Sequence, residues 1–215
     1  MPLRLLTVLI LCLPAWNLAA VLVTAVEGDA RREGQPLAAF ATLEPGAAVQ
    51  LPAGASIRLA DTERARQGRW EGPATLRIDA GGIRAEGRQT ERSALPGAIR
   101  AALLRAPANL AKVAELDDDL PSRLISARLT QARQQYQRWR TQFAADDVAP
   151  ELYLLDVQLA ARDGLGIQAT LAEMARRQPR NTQLARLSAH MVSLNLAMSP
   201  GDPGAQLEVK PLLTP

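Results

Sequence analysis

The sequence predicts an α+β fold in two segregated modules, a small all-β sandwich or roll followed by an antiparallel stack of helical hairpins. Two observations lead to this prediction. Apolar residues alternate with a period of two in short, turn-bounded segments up to Pro96-Gly97, and beyond that point they recur at helical spacing. The length of 215 residues allows both modules, and an apolar content of 47% is sufficient for a buried core.

Residues 1–20 have the pattern of a secretory signal. Arg4 supplies a short positive region, Leu5–Trp16 is apolar, and the segment ends on two alanines of the kind that a signal peptidase prefers. An uncleaved anchor over residues 5–26 stays open, because apolar character continues through Val21–Val26 and reaches the ~20 residues of a membrane span. Val21–Val26 also suits a first β-strand. Under either alternative, the bulk of the chain is expected beyond the inner membrane of a bacterial envelope.

Residues 21–97 carry the strand signals. Strict alternation places one set of apolar side chains on a common side of a pleat. This set comprises Val49, Leu51, Ile57, Leu59, Leu76 and Ile78. Strands are predicted over Val21–Val26, Leu37–Leu43, Ala47–Leu51, Ser56–Ala60, Ala74–Ile78 and Ile83–Glu86. Glycine and proline segments between them, including Gly72-Pro73, are expected to form the turns.

Several segments of this module resemble the FecR-like periplasmic domain, whose short strands are bounded by glycines. The matching segments are Val26-Glu27-Gly28, Leu43–Val49, Gly54–Ile57 and Trp70–Ile78. The resemblance implies a role in envelope signalling, such as reporting the occupancy of a siderophore receptor to a sigma factor. A direct anti-sigma role is not expected, because only four residues precede the apolar run and the cytoplasmic helical segment of such regulators is missing.

Residues 98–198 are predicted to be helical. A stripe with alternating spacings of four and three residues indicates one amphipathic helix, with Ser122 near its start. The stripe comprises Ile125, Leu129, Ala132, Tyr136, Trp139 and Phe143. Further helices are expected over Pro150–Asp163, closed by Gly164, over Leu165–Gln178 and over Thr182–Ala197, and the region Ala98–Leu120 is expected to be helical in part. Short connections make consecutive helices antiparallel.

The segment Glu151–Asn181 is similar to one tetratricopeptide-type helical hairpin. Small residues such as Gly164 and Ala169 let its two helices approach, and Pro179 ends the second one. Helical hairpin arrays of this type present a surface to protein partners. Trp70 in the β module and Tyr153 in this hairpin are the candidate residues of an interaction surface, and Trp70 has the alternative role of a core residue.

No catalytic, cofactor-binding or metal-ligating pattern stands out in the sequence. His190 is the only histidine, and Cys12, the only cysteine, lies in the N-terminal apolar run, so nucleophilic, acid–base and zinc chemistry have few candidate groups. Asp117-Asp118-Asp119 and Asp146-Asp147 are interpreted as capping or solvated loop residues rather than as calcium ligands. Lys and Arg number 25 against 22 Asp and Glu, and this near balance argues against a nucleic-acid partner.

We therefore expect a non-catalytic exported envelope protein that acts as a protein–protein interaction or signalling accessory module. It would be periplasmic, or associated with the inner membrane through residues 5–26. The alternative is a peptidoglycan- or carbohydrate-binding protein that uses Trp70, although an aromatic content of 3% argues against it because sugars stack on exposed rings. Residues 199–215 are rich in proline and glycine and are expected to form a flexible tail.

Overall fold

In the computed structural model of the protein, residues 21–116 and 127–197 are described, and they form a curled antiparallel sheet followed by five helices. The predicted α+β order, an all-β module and then a helical module, is confirmed. Residues 1–20, the acidic run Asp117–Asp119 with the predicted Ser122 and Ile125, and the tail 199–215 lie outside the described residues. None of the helices in the described part is long and apolar enough to cross a membrane.

Eight strands form the sheet. They are β1 (Val21–Glu27), β2 (Arg31–Arg32), β3 (Gln35–Pro36), β4 (Thr42–Leu43), β5 (Ala48–Leu51), β6 (Ser56–Asp61), β7 (Arg66–Asp79) and β8 (Gly82–Ala94). Their order across the sheet is β3-β2-β5-β7-β6-β1-β4, and β8 pairs with β7. All of the pairings are antiparallel, as the short turn-bounded segments require.

The long strand β7 converts the sheet into a roll. Its first part, Arg66–Glu71, pairs with β6, its second part pairs with β5, and β8 runs along both. The prediction of a turn at Gly72-Pro73 is wrong, because both residues lie inside β7, where the pairing with β8 shifts between Glu71 and Thr75. Proline, which has no N–H to donate, is tolerated at such an irregularity of the ladder.

The predicted strand over Leu37–Leu43 is present only at its end, as β4. Residues 38–41 form a turn in which Phe40 has a φ of 63°. The Phe40 N–H donates to the Val23 carbonyl oxygen at 2.7 Å. This conformation directs the Phe40 ring, 5% exposed, into contact with the helices and away from the core of the roll.

The apolar side chains that were predicted to share one face of the sheet point into the interior of the roll. The six side chains that the alternation selected are all buried, with exposures of 2% or less: Val49, Leu51, Ile57, Leu59, Leu76 and Ile78. They pack in one apolar cluster with Val21 and Val23 of β1. Val21–Val26, which the sequence offers as a first strand or as the end of a span, belongs to β1 and pairs with β6.

Five helices follow the sheet in the described residues. They are α1 (Gly97–Ala114), α2 (Ala127–Arg140), α3 (Ala149–Ala161), α4 (Gly164–Arg177) and α5 (Thr182–Ala197). Helix α3 lies at the centre of the module and contacts α1, α2 and α4, while α5 packs on α4 and α1. On α2 the predicted stripe is confirmed at Leu129, Ala132 and Trp139, which are buried. Phe143 is half-buried beyond the end of α2.

The hairpin of α3 and α4 is closed differently from the prediction. Arg162, with a φ of 53°, is the left-handed residue that ends α3, whereas Gly164 is the first residue of α4. Asp163 caps α4, and its Oδ1 accepts a hydrogen bond from the Gly166 N–H at 3.0 Å. Because Asp163 serves as the N-cap, the helix ends before it and Gly164 cannot be the closing residue.

The two modules share one apolar core. Leu22 of β1, Ala60 of β6 and Phe40 belong to the same buried cluster as Ile99 of α1 and Leu152 of α3. One outer face of the roll is therefore covered by the helices, and the sheet is buried on both sides where β1 and β6 lie.

Gly72 is predicted to be intolerant of any side chain. A Cβ at this position would lie 2.0 Å from the Pro52 carbonyl oxygen and 2.7 Å from that of Leu51. Gly72→Ala should therefore lower the free energy of unfolding by about 1–3 kcal/mol or more. The matched control is Gly97→Ala, where no heavy atom lies within 4 Å of the added methyl group. Equal midpoints for the two variants in urea denaturation would show that β7 does not pack here as described.

Candidate functional site

Trp70 lies in the core of the roll and not on a surface. It pairs with Ile57 of β6 on one side and with Gln89 of β8 on the other, and it is 5% exposed. Gly68 leaves the space that the indole occupies, since a Cβ there would lie 2.7 Å from the ring. The sequence left two roles open for Trp70, an interaction surface and a core residue. Its burial fits the role of a core residue.

Tyr153 lies on α3 and is half-buried. Its ring meets Trp139 of α2 edge to face, with a centroid separation of 4.8 Å and an interplanar angle of 82°. Tyr153 packs in the helical core, whereas Trp70 belongs to the cluster inside the roll, so the structure does not bring the two candidates together. None of the aromatic side chains in residues 21–116 and 127–197 is exposed.

A buried polar group that the sequence did not single out links the sheet to the helices. Arg58 of β6 is 2% exposed and points toward the helical module. Its guanidinium forms salt bridges with Glu91 of β8 at 2.6 Å, with Asp146 at 3.1 Å and with Asp147 at 3.7 Å. Asp146 and Asp147 belong to the loop between α2 and α3, so this cluster joins the two modules. We refer to Arg58, Gln67, Arg69, Asp146 and Asp147 as the joint.

Asp147 occupies the centre of the joint. Its carboxylate is fully buried, accepts a hydrogen bond from Gln67 Nε2 at 2.6 Å and accepts another from the Ala149 N–H at 3.0 Å. The second bond satisfies the N–H of the first residue of α3, whose N-cap residue is Val148. The expectation of a solvated loop is wrong for Asp147, because Arg58 and Gln67 replace the water that would otherwise solvate it. Burial raises the pKa of Asp147, and the charge of Arg58 opposes that rise.

Asp146 extends the joint along the sheet. Its Oδ2 lies 2.7 Å from Nη1 of Arg69, whose Nη2 also contacts Glu27 of β1 at 3.0 Å. Gln178, at the end of α4, donates from Nε2 to the Thr24 carbonyl of β1 and to the Asp146 carbonyl, both at 3.0 Å. Strands β1, β6 and β7 are thus all tied to the same loop.

A second buried cluster gives the loop its shape. Arg140 donates to the carbonyl oxygens of Phe143, Ala144 and Asp147, and thereby holds the chain that follows α2. Glu151 of α3 is fully buried and accepts hydrogen bonds from Arg140 Nη1 at 2.9 Å and from the Tyr136 hydroxyl at 3.0 Å. Arg177 of α4 lies 3.0 Å from Glu151 through its Nε. Charges of alternating sign therefore connect the sheet, the loop and three helices.

The chemistry of the joint is structural. Its carboxylates are engaged by guanidinium, amide and backbone donors, which is an arrangement that fixes side chains in place. No group of three or more histidine, cysteine, aspartate or glutamate residues in the described part of the chain is arranged to hold a metal ion. The joint fixes how the surfaces of the two modules are placed relative to each other.

Removal of the Arg58 charge should destabilise the protein strongly. Arg58→Met leaves Asp147 buried without its cation, and the loss is expected to be about 3–5 kcal/mol in the free energy of unfolding. Arg84→Met is the control, because the Arg84–Asp79 pair is exposed, with 81% of the Arg84 side chain accessible, and exposed pairs contribute about 0–1 kcal/mol. Adding Asp147→Asn to Arg58→Met should recover part of the loss. Similar losses for the Arg58 and Arg84 variants would contradict the account.

The tyrosines provide a spectroscopic check on the helical core. The chain has two, Tyr136 and Tyr153. Burial, together with Glu151, raises the pKa of Tyr136 to about 12, and burial also raises the pKa of Tyr153. The folded state favours the neutral phenols. Their contribution to the free energy of unfolding is complete below the unfolded-state pKa of ~10, and it is lost as the pH rises through the higher pKa values of the folded state.

Titration of tyrosinate absorbance should show little ionisation at pH ~10 until the protein is unfolded by urea. Ordinary titration of both residues in the folded protein would be inconsistent with their packing.

Comparison of the chain with protein-family models, with curated proteins and with solved structures found no match.

Proposed function

We propose that this chain is a non-catalytic exported protein of the bacterial envelope that binds another envelope protein through its helical module. The observation that supports this proposal is a groove with a volume of about 640 Å³, lined by α1, the start of α2 and α3. Helical hairpin stacks bind extended segments of partner proteins in grooves of this kind. The sheet supports the groove through the joint, which holds α3 in place.

The walls of the groove carry an excess of positive charge. Arg105 of α1 is bound to Asp156 of α3, with Nη2 and Oδ2 2.7 Å apart, and Asn109 donates to the same carboxylate at 2.9 Å. Lys112 of α1 and Arg128 of α2 also line the groove and form no salt bridge with any described residue. A complementary ligand would be an extended acidic segment of a partner protein, because unpaired cations in a groove attract anionic groups over several ångströms.

The proposed export rests on the sequence of residues 1–20. It agrees with the position of the next residues in a β-strand. Val21–Val26 is committed to β1, where Val21 and Val23 are 1% and 0% exposed. A residue paired between two strands is not available to a membrane-spanning helix. We therefore favour cleavage after Ala20 over an anchor that extends to residue 26.

The alternative of carbohydrate or peptidoglycan binding loses its main candidate. Trp70 is inside the roll, and the other described aromatic residues are buried or half-buried, which disfavours the stacking of a sugar on a ring. The FecR-like character of the β module remains part of the proposal. Of the segments that carry the resemblance, Val26-Glu27-Gly28 covers the end of β1 and the residue after it, and Trp70–Ile78 lies in β7 of the same roll.

A crosslinking pulldown from intact envelopes tests this function. The tagged full-length protein should capture a partner that carries an acidic segment, and Lys112→Glu combined with Arg128→Glu should reduce the capture about tenfold or more, because like charges would then face each other across a partly desolvated groove. The matched control is Arg100→Glu combined with Arg186→Glu, two exposed positions that produce the same change in net charge.

N-terminal sequencing of the same material tests export, with Val21 expected as the first residue. Recovery of no partner, or equal loss of capture in the groove variant and in the control variant, would contradict the proposed binding. An intact Met1 would contradict cleavage after Ala20 and would favour the anchor over residues 5–26.

A further inference from the structure

Strand β8 presents a long free edge. It runs for 13 residues from Gly82 to Ala94 and pairs only with β7 among the described residues. The strands at the two ends of the main path, β3 and β4, have two residues each. Residues 84–89 of β8 are all exposed. An edge of this length offers unpaired N–H and C=O groups to another strand.

Two of the charges on this edge, those of Glu86 and Arg88, have no salt-bridge partner among the described residues. Arg84 is engaged by Asp79, with Nε and Oδ2 2.5 Å apart. Glu86 and Arg88 are exposed and form no salt bridge with another described residue. They are two residues apart in β8, one on each side of Gly87, which has a φ of 147° and lies where the pairing of β8 with β7 shifts.

We propose that a second copy of this chain pairs with β8 in an antiparallel arrangement centred on Gly87. A two-fold axis at Gly87 places Glu86 opposite the partner's Arg88 and Arg88 opposite the partner's Glu86. The symmetry thus forms the same ion pair twice, at the closest cross-strand positions.

Neighbouring registers are less favourable. Centring on Glu86 would set Arg84 opposite the partner's Arg88 and Glu86 opposite its own copy, so every charged position would face a like charge. Centring on Ala85 would require Arg84, which is already bound to Asp79. The register about Gly87 uses Glu86 and Arg88, which form no salt bridge with a described residue, although Arg88 lies across from Glu71 in the β7–β8 ladder.

The charge pattern also explains why the occupant is a copy of this chain. Charged side chains on an edge strand disfavour pairing with arbitrary apolar strands. A strand with the reversed charge order is accepted, and the antiparallel copy of β8 has that order. The surface shares no residue with the groove between α1, α2 and α3, so it is independent of the proposed function. A single added strand buries a small area, and we expect a weak, concentration-dependent dimer.

Sedimentation equilibrium of the exported protein over a range of concentrations tests this inference. A monomer–dimer equilibrium is expected for the wild type. Glu86→Arg and Arg88→Glu should each raise the dissociation constant about tenfold or more, because each substitution turns two attractive cross-strand pairs into two repulsive ones. The double variant, Glu86→Arg with Arg88→Glu, restores complementary pairs and should dimerise like the wild type.

The controls are Glu44→Arg and Arg100→Glu, which reverse exposed charges outside β8 and should leave the dissociation constant unchanged. All of these positions are exposed, so the thermal midpoint of each monomer should stay close to that of the wild type. A protein that is monomeric at every concentration overturns the proposal. A dimer that is insensitive to the single reversals, or one that the double variant fails to restore, also overturns it.

Discussion

The buried guanidinium of Arg58 is the constraint on which the architecture depends. A charge with 2% exposure is stable in a protein only when ion pairs and hydrogen bonds replace its lost hydration. Two of the carboxylates that pair with Arg58, Asp146 and Asp147, come from the loop between α2 and α3. Separation of the sheet from the helices would break these ion pairs and would also expose the apolar cluster that the two modules share.

The pairing of Arg58 also depends on the helices, because the loop between α2 and α3 must hold Asp146 and Asp147 in place. Arg140 binds three carbonyl oxygens of the loop and also the buried carboxylate of Glu151. Glu151 in turn contacts Arg177 of α4. These contacts thus connect the groove between α1, α2 and α3 with the sheet that contains the free edge of β8. A partner bound in the groove and a second copy bound at β8, as we propose, would therefore be held in a defined mutual geometry.

The sequence is sufficient to predict the fold class and the buried faces, because hydrophobic periodicity reports the burial of neighbouring side chains. It did not predict the joint, since Asp146-Asp147 before Pro150 has the local pattern of a solvated cap. The partner of both carboxylates is Arg58, which lies 88 positions before Asp146 in the chain. Arg58 gave no signal either, because a charged residue between Ile57 and Leu59 fits the alternation of a strand with one solvated face. The length of β8 was also missed, because side chains exposed on both faces leave no alternation to detect.

The central claim is that the joint makes the roll and the helices one cooperative unit. Native-state hydrogen exchange, measured by mass spectrometry at increasing sub-denaturing urea concentrations, tests it most directly. The account predicts that core amides of β6 and of α3 open with the same free energy and the same dependence on urea. Two distinct opening free energies, with one module exchanging while the other stays protected, would contradict it.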